Sequence, residues 1–178
     1  MEEKIEKIFL LGYQEMEVVK QRDPSHGCVP TGCEWMIRYK KLLRDDDLIK
    51  FQEEFNLFEK GGNTFKNVAE AIQRKYQDIH IETHDFKKDD AGLEKIEFIK
   101  SLIRVQSPCL ISVATKEGGG TNWHIMPVVG LDDEQKVLVL YHPENKDINK
   151  NYEGKSYSDI IKIHKEELGG KDIAWIPK

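Results

Sequence analysis

Two of the chain's three cysteines lie within one short stretch, residues 25–43, that leads into a predicted helix. The stretch reads SHGCVPTGCEWMIRYKKLL and contains Cys28 and Cys33. Chemistry with a thiol needs a thiolate, a base that takes its proton and hydrogen-bond donors for a developing oxyanion. A helix N-terminus supplies part of this, because its dipole and free N–H groups lower the pKa of a cysteine. The stretch is therefore a candidate site for thiol chemistry.

The local sequence does not decide which of the two thiols lies at the start of the helix. Pro30 suits a first helical turn, where its missing N–H needs no partner, and this favours a helix that begins at Cys28. Thr31 and Glu34 instead match a capping box, which would begin the helix later and put Cys33 in its first turn. Both alternatives remain open at this level.

The base must come from another part of the chain. His124 opens a predicted strand, WHIMPVVGL, after the glycine-rich approach KEGGGTNWH. A hairpin turn centred on Asp133 would place His124 opposite His142, and directly opposed side chains are about 4.5–5.5 Å apart at Cβ. A half-residue shift of the turn would pair His124 with Pro143 instead. Either register brings His124 near YHPENK, which includes Asn145 and other groups able to orient an imidazole.

The surrounding sequence predicts the elements that must position these residues. Apolar residues from Val29 to Leu43 recur with helical spacing, and Leu93, Ile96, Ile99 and Ile103 are predicted to share one face of a later helix. Further helices are predicted over residues 47–58, 64–76, 92–105 and 156–168. Strands are predicted over residues 80–86, 108–115, 123–131, 136–142 and 172–177. Helices followed by antiparallel strands are typical of an α+β fold, with the first helix packed on the sheet.

Composition limits the class of protein. The 178 residues suit a single domain over residues 1–178, and a net charge of −5 without a basic stripe argues against nucleic acid as a partner. The longest apolar runs have the length of strands and no secretory signal is seen, so no membrane association is expected. An odd number of cysteines without a disulfide-like spacing predicts reduced thiols in a cytoplasmic protein.

No metal or cofactor is predicted. His80 and His84 are spaced by four residues in a segment that is predicted to be a strand, so they would stand about 13 Å apart, and no third ligand is evident. Cys28 and Cys33 are too far apart in sequence for a Cys-x-x-Cys motif.

The motifs together resemble a known family. QRDPSHGCVPTGCEWMIRY, then PCLISV, then GGTNWHIMPVVGLDDEQKVLVLYHP is similar to the bacteriocin-processing (double-glycine) peptidase-like branch of the papain-like cysteine peptidases. The resemblance runs from about Gln21 to Ile176, apart from the helical middle of the chain. It implies a papain-like α+β fold, in which N-terminal helices with the nucleophile at a helix start pack on a C-terminal antiparallel sheet.

The resemblance also implies a role for each matching residue. Cys28 is the implied nucleophile, His124 the base and Gln21 the oxyanion donor. Tyr39, eleven residues after Cys28, favours this alignment. A related form of the motif, PTGCE, would make Cys33 the reactive thiol instead.

The sequence departs from the family pattern at three positions. Val29 replaces a glycine, and Gln21 lies one residue farther from the cysteine than is usual. His142 replaces the Asp or Asn that accepts the Nδ1–H of the base and fixes its tautomer. A neutral His142 could accept this bond through one ring nitrogen, and Asn145 or Glu144 could do so instead.

The predicted function is that of a cysteine peptidase, which cleaves a peptide or amide bond through a Cys-His pair without a cofactor. Its expected partner is a peptide or small amide substrate. Two alternatives stay open. One is a thiol acyltransferase or amidase that acts on a small molecule, and the other is a non-catalytic peptide-binding domain on the same fold.

Overall fold

A computed structural model describes residues 5–86, 91–117, 120–142, 151–166 and 173–178. These ranges contain six α-helices: α1 (Cys28–Tyr39), α2 (Asp45–Leu48), α3 (Phe51–Glu54), α4 (Phe65–Lys75), α5 (Gly92–Arg104) and α6 (Tyr157–Glu166). They also contain seven strands: β1 (Lys7–Phe9), β2 (Glu82–His84), β3 (Cys109–Glu117), β4 (Gly120–Asp132), β5 (Val137–Tyr141), β6 (Tyr152–Ser156) and β7 (Ile173–Trp175). Short 3-10 helices cover Tyr13–Glu15 and Phe58–Lys60. None of these helices is both long and apolar enough to cross a bilayer.

The strands form one antiparallel sheet in the order β2-β7-β3-β4-β5-β6, and β1 pairs with the end of β4. Residues in β3 are paired with β4 without interruption from Cys109, opposite Val128, to Glu117, opposite Gly120. The predicted α+β class is therefore confirmed. The strands β1 and β6, which no sequence pattern predicted, extend the sheet beyond the predicted hairpin.

The helix α1 begins at Cys28, with Gly27 as its N-cap residue. The start predicted from Pro30 is therefore confirmed, and the capping-box alternative is wrong. Thr31 does not cap the helix, because its Oγ1 lies 2.6 Å from the carbonyl oxygen of Gly27, one turn earlier. This bond back to the preceding turn is the usual one for a threonine inside a helix.

The helix α1 packs on β4 and β3 with one side and on α3 and α4 with another, while α5 packs against α6 and β1. A close approach to the sheet occurs at Gly32, where an added Cβ would lie 2.9 Å from Leu110 of β3. The core includes Trp35, Met36 and Ile37 of α1. On α5 the three isoleucines of the predicted apolar face are buried, whereas Leu93, near the start of the helix, is 59% exposed.

The predicted helix over residues 47–58 is interrupted. The helices α2 and α3 replace it, with a break between Leu48 and Phe51. At this break the Arg22 guanidinium bonds to the carbonyl oxygen of Ile49. The other predicted helices and strands are present within a few residues of their predicted bounds, as far as the described residues extend.

The predicted register of the β4–β5 hairpin is wrong. Asp132 pairs with Val137, so the turn contains the four residues 133–136 and is not centred on Asp133. A β-bulge between Val128 and Gly130 then changes the register by one residue, because Gly130 pairs with Val139 and Val128 pairs with Leu140. A bulge places two residues of one strand opposite one residue of the other. His124 is therefore directly opposite neither His142 nor Pro143 in the continuation of this ladder.

Candidate active site

Cys28 follows a tight turn formed by residues 23–27. The N–H of Gly27 donates to the carbonyl oxygen of Asp23 at 3.0 Å. Asp23 Oδ1 also accepts from the backbone N–H groups of Ser25 (3.0 Å) and His26 (3.2 Å). An aspartate that accepts from N–H groups two and three residues later stabilises a turn without help from other elements. The turn therefore ends where α1 begins, and Cys28 is the first residue of that helix.

The loop before α4 supports this turn from outside. Asn56 Nδ2 donates to Asp23 Oδ2 at 2.7 Å, and this bond is the largest cause that lowers the pKa of Asp23. Asn63 Nδ2 donates to the carbonyl oxygen of His26 at 2.7 Å. The ring of His26 stacks on Phe58 with 3.5 Å between centroids. The helical middle of the chain thus holds the turn that precedes Cys28.

The three thiols differ in exposure. Cys28 is partly exposed, whereas Cys33 and Cys109 are buried, and all three are free. Burial raises the pKa of Cys33 to about 12, and its interaction with Cys28 raises it further in the same direction. Burial likewise raises the pKa of Cys109 to about 12. Near neutral pH these two thiols stay protonated and out of contact with solvent, which leaves Cys28 as the accessible thiol.

His124 lies on β4 opposite Val113 of β3 and is 9% exposed. Its ring centroid is 5.3 Å from that of His142, with 35° between the planes. Continuing the ladder from the Val128–Leu140 pair makes the two histidines diagonal neighbours on one face, and diagonal side chains of this length remain within reach of each other. The predicted proximity of the two rings is therefore present, although the predicted register is wrong.

His142 directly follows β5, and its N–H donates to the carbonyl oxygen of Asn151 at 2.6 Å. Its Nδ1 is buried and has no hydrogen-bond partner within the described ranges. Asn145, the other predicted orienting group, lies outside the described residues, as do Pro143 and Glu144.

Contacts along α1 give its direction relative to β3. Tyr39 lies at the C-terminal end of α1, and its hydroxyl oxygen is 3.3 Å from Oε1 of Gln106, which precedes β3 in the chain. Gly32, near the other end of the helix, contacts Leu110 near the start of β3. The N-terminus of α1 therefore extends along β3 past Leu110.

This direction places Cys28 and His124 on the same side of the contact between Gly32 and Leu110. The four residues from Gly32 back to Cys28 span about 6 Å of helix. The three residues from Leu110 to Val113 span about 10 Å of strand, and Val113 pairs with His124. Cys28 and His124 therefore both lie beyond the Gly32–Leu110 contact in this direction.

Gln21 lies seven residues before Cys28 in the chain. Its Nε2 donates to the carbonyl oxygen of Asp23 at 2.6 Å. A side-chain amide has two N–H donors, so one remains for another acceptor. Its Oε1 is buried without a hydrogen-bond partner among the described residues.

Two side chains that the sequence did not single out hold the segment around Gln21. The hydroxyl of Tyr141 accepts from the N–H of Val19 at 3.0 Å, and burial raises the pKa of Tyr141 to about 12. Gln52 bonds to the backbone of Lys20 and Arg22. No motif marks either residue, because their bonds to this segment go to backbone groups that any sequence would carry.

The described part of the chain contains no group of three or more His, Cys, Asp or Glu side chains that could hold a metal ion.

No protein-family model matches the chain, and no curated protein matches it either.

Proposed function

We propose that this protein is a cysteine peptidase of papain-like fold, with Cys28 as nucleophile and His124 as base. The observation that carries the proposal is the position of Cys28, the accessible thiol, as the first residue of a helix that packs on the strand containing His124. The N-terminal dipole and the free N–H groups of α1 favour the thiolate. The order of the sequence motifs supplies the rest of the support.

In the proposed reaction, Cys28 Sγ attacks the carbonyl carbon of a peptide or amide bond while His124 holds the thiol proton. The tetrahedral oxyanion accepts hydrogen bonds from the remaining N–H of Gln21 and from the N–H of Cys28. The C–N bond then breaks, and His124 returns the proton to the leaving amine. A thioester remains on Cys28, and water hydrolyses it with His124 as general base, which restores the free thiol.

His142 occupies the position at which the resembling family carries an Asp or Asn. In the proposal it accepts the Nδ1–H of His124 through a ring nitrogen and so keeps Nε2 available for the thiol proton. The 5.3 Å separation of the two ring centroids supports a direct interaction between the imidazoles.

Alkylation tests the proposed pair. We expect iodoacetamide to label native Cys28 rapidly near pH 6, where an ordinary thiol with a pKa near 8.5 reacts slowly. The substitution His124→Ala should move this labelling towards the ordinary profile. Cys28→Ser is the control for the site of labelling, read by mass spectrometry. Slow labelling of Cys28 with an ordinary pH profile in the wild type would overturn the proposal.

Trapping of the acyl-enzyme separates the two enzymatic alternatives. Incubation with peptide amides and, in parallel, with a small-molecule thioester should leave a thioester on Cys28 only with the substrate class that the site accepts. We expect the peptide to react. Reaction with the small thioester alone would identify an acyltransferase or amidase instead.

One second candidate is a non-catalytic peptide-binding domain on the same fold. Two observations favour it: His142 stands in place of the usual acid or amide, and Gln21 already donates to the carbonyl oxygen of Asp23. Peptide binding that is unaffected by Cys28→Ser, together with an ordinary thiol profile, would identify this function.

A further inference from the structure

We propose that Gln52, in α3, is a positioning residue that holds the segment around Gln21 at a fixed place relative to α1. The proposal rests on the proposed function, because the segment and the helix carry the oxyanion donor and the thiol. Gln52 itself touches no reacting atom. It lies in the helical middle of the chain, where the sequence motifs of the site are absent.

Gln52 is only 4% exposed, and each polar atom of its side chain has two polar neighbours within hydrogen-bond distance. Its Oε1 accepts from the N–H of Arg22 at 2.9 Å and lies 2.8 Å from Thr31 Oγ1. Its Nε2 donates to the carbonyl oxygen of Lys20 at 2.8 Å and to Glu34 Oε2 at 2.7 Å. A glutamine amide has two lone pairs and two N–H groups. Both N–H groups and one lone pair are satisfied here, and the single hydroxyl proton of Thr31 is shared between Gln52 Oε1 and the carbonyl oxygen of Gly27.

The backbone partners fix the orientation of this amide. The N–H of Arg22 can only donate and the carbonyl of Lys20 can only accept, so the oxygen and nitrogen of Gln52 cannot be exchanged. No other residue type has an acceptor and a donor at this reach and in this arrangement. Gln52→Glu, for example, would replace the donor by an oxygen that faces Glu34.

The four contacts join the two parts of the proposed site. Lys20 and Arg22 flank Gln21, so the backbone on both sides of the oxyanion donor is tied to one side chain. Thr31 and Glu34 belong to the first two turns of α1, directly after Cys28. Gln52 therefore fixes the distance between the Gln21 segment and the thiol helix, and an error of about 1 Å in such a distance can reduce turnover by about 100-fold.

The surroundings allow the segment to move if these bonds are lost. A cavity of about 170 Å³ lies beside the amide. It is lined by Arg22, Asp23, Gly27, Gln52, Glu53 and Asn56. On this side the Gln21 segment is thus held by hydrogen bonds rather than by close packing: the bonds of Gln52 to the backbone of Lys20 and Arg22, and those of the Arg22 side chain to Glu53 and Ile49.

The test uses Gln52→Met, which keeps the length of the side chain and removes its hydrogen bonds. Acylation of Cys28 by 4-nitrophenyl acetate, read as the burst of nitrophenolate, should fall by about 10-fold to 100-fold. Alkylation of Cys28 by iodoacetamide should shift towards higher pH. Hydrogen exchange should become faster for the backbone amides of residues 19–31 and stay unchanged for β3 and β4.

Two controls separate positioning from a general loss of stability. Gln135→Met makes the same substitution at an exposed position of the hairpin turn. Tyr157→Phe removes a buried hydrogen bond to Asp133 in another part of the molecule and lowers stability without contact with the site. We expect both controls to keep the wild-type acylation burst and alkylation profile.

The outcomes distinguish this inference from the proposed function. An ordinary thiol profile in the wild type overturns the proposed function. With an activated wild-type thiol, a Gln52→Met burst within twofold of the wild type overturns the role of Gln52 alone. If Gln52→Met does not fold, Gln52→Asn replaces it. This variant keeps the amide but is one methylene shorter, and an unchanged burst in it would also contradict the inference.

Discussion

At the scale of single residues, Gly27 has a steric role at the thiol. A Cβ added at Gly27 would lie 2.7 Å from the carbonyl oxygen of Asp23, which is closer than side-chain carbons approach backbone oxygens. The backbone of Gly27 has a negative φ of −84°, so the restriction comes from the turn and not from the glycine's own conformation. The turn before Cys28 can close only when this position has no side chain.

We therefore predict that Gly27→Ala opens the turn. The free energy of unfolding should fall by about 1–3 kcal/mol, and native Cys28 should lose part of its reactivity towards iodoacetamide, because the thiol moves relative to β4. Urea denaturation and alkylation kinetics measure the two effects. Gly154→Ala is the matched control, since an added Cβ there meets nothing within 4 Å. Equal stability of the two variants would contradict the steric argument.

A second residue-scale prediction concerns His142. If its ring nitrogen orients His124, His142→Asn should keep acylation within about 10-fold of the wild type, because an amide oxygen can accept the same bond. His142→Phe keeps a ring but offers no acceptor, and it should lose about 100-fold or more, given that loss of the orienting group costs about 10⁴-fold in the serine template. The acylation burst with 4-nitrophenyl acetate measures both. Equal bursts in the two variants would remove His142 from the mechanism.

At the scale of elements, α4 shows how a local cap supports the site from a distance. Thr64 is the N-cap residue of α4, and its Oγ1 accepts from the N–H of Asn67 at 3.1 Å. The loop that precedes α4 carries Asn56 and Asn63, which hold the turn before Cys28. The cap at the start of α4 therefore fixes one end of the loop that holds the turn before Cys28.

We predict that Thr64→Ala lowers the free energy of unfolding by about 1 kcal/mol, because the exposed N-cap loses its side-chain acceptor. Thr64→Ser keeps the hydroxyl and should stay within a few tenths of a kcal/mol of the wild type. Urea denaturation of both variants tests the prediction. If the serine variant is as unstable as the alanine variant, the cap bond is not the cause.

At the scale of the whole molecule, Asp133 joins elements that are far apart in the sequence. It lies in the β4–β5 turn, and its Oδ1 is 2.9 Å from Lys100 Nζ of α5 and accepts from the hydroxyl of Tyr157 of α6 at 2.7 Å. Its Oδ2 accepts from the N–H of Glu6 at 3.2 Å. Burial alone would raise the pKa of Asp133, but the bonds from Lys100 and Tyr157 outweigh it and lower the pKa.

A lowered folded-state pKa means that Asp133 stabilises the fold above the unfolded pKa of about 3.9 and that this contribution is lost as pH falls through the folded-state value. We predict that Asp133→Asn costs about 2 kcal/mol at pH 7, since a bond to a charged group is lost. The difference from the wild type should shrink below about pH 4. Urea denaturation between pH 2 and pH 7 measures it, with the exposed Asp46→Asn as control. A difference that is independent of pH would contradict the linkage.

The sequence by itself determined the fold class and most of the elements. These follow from local rules: helical and strand periodicity and the β-branched runs of the later strands. The residues proposed for chemistry could also be named from the sequence, because thiols and imidazoles are few and their order is distinctive.

Only the tertiary structure decided the hairpin register, the break between α2 and α3, which of the two thiols begins α1, and the contacts of Gln52. The β-bulge after Val128 and the four-residue turn depend on how β4 pairs with its neighbours, and one extra residue in a strand changes which side chains face each other. Two of the four contacts of Gln52 are to backbone groups about 30 residues away in the chain, and such contacts leave no periodic or compositional signal. The exposure of Cys28 against the burial of Cys33 is likewise set by packing on the sheet.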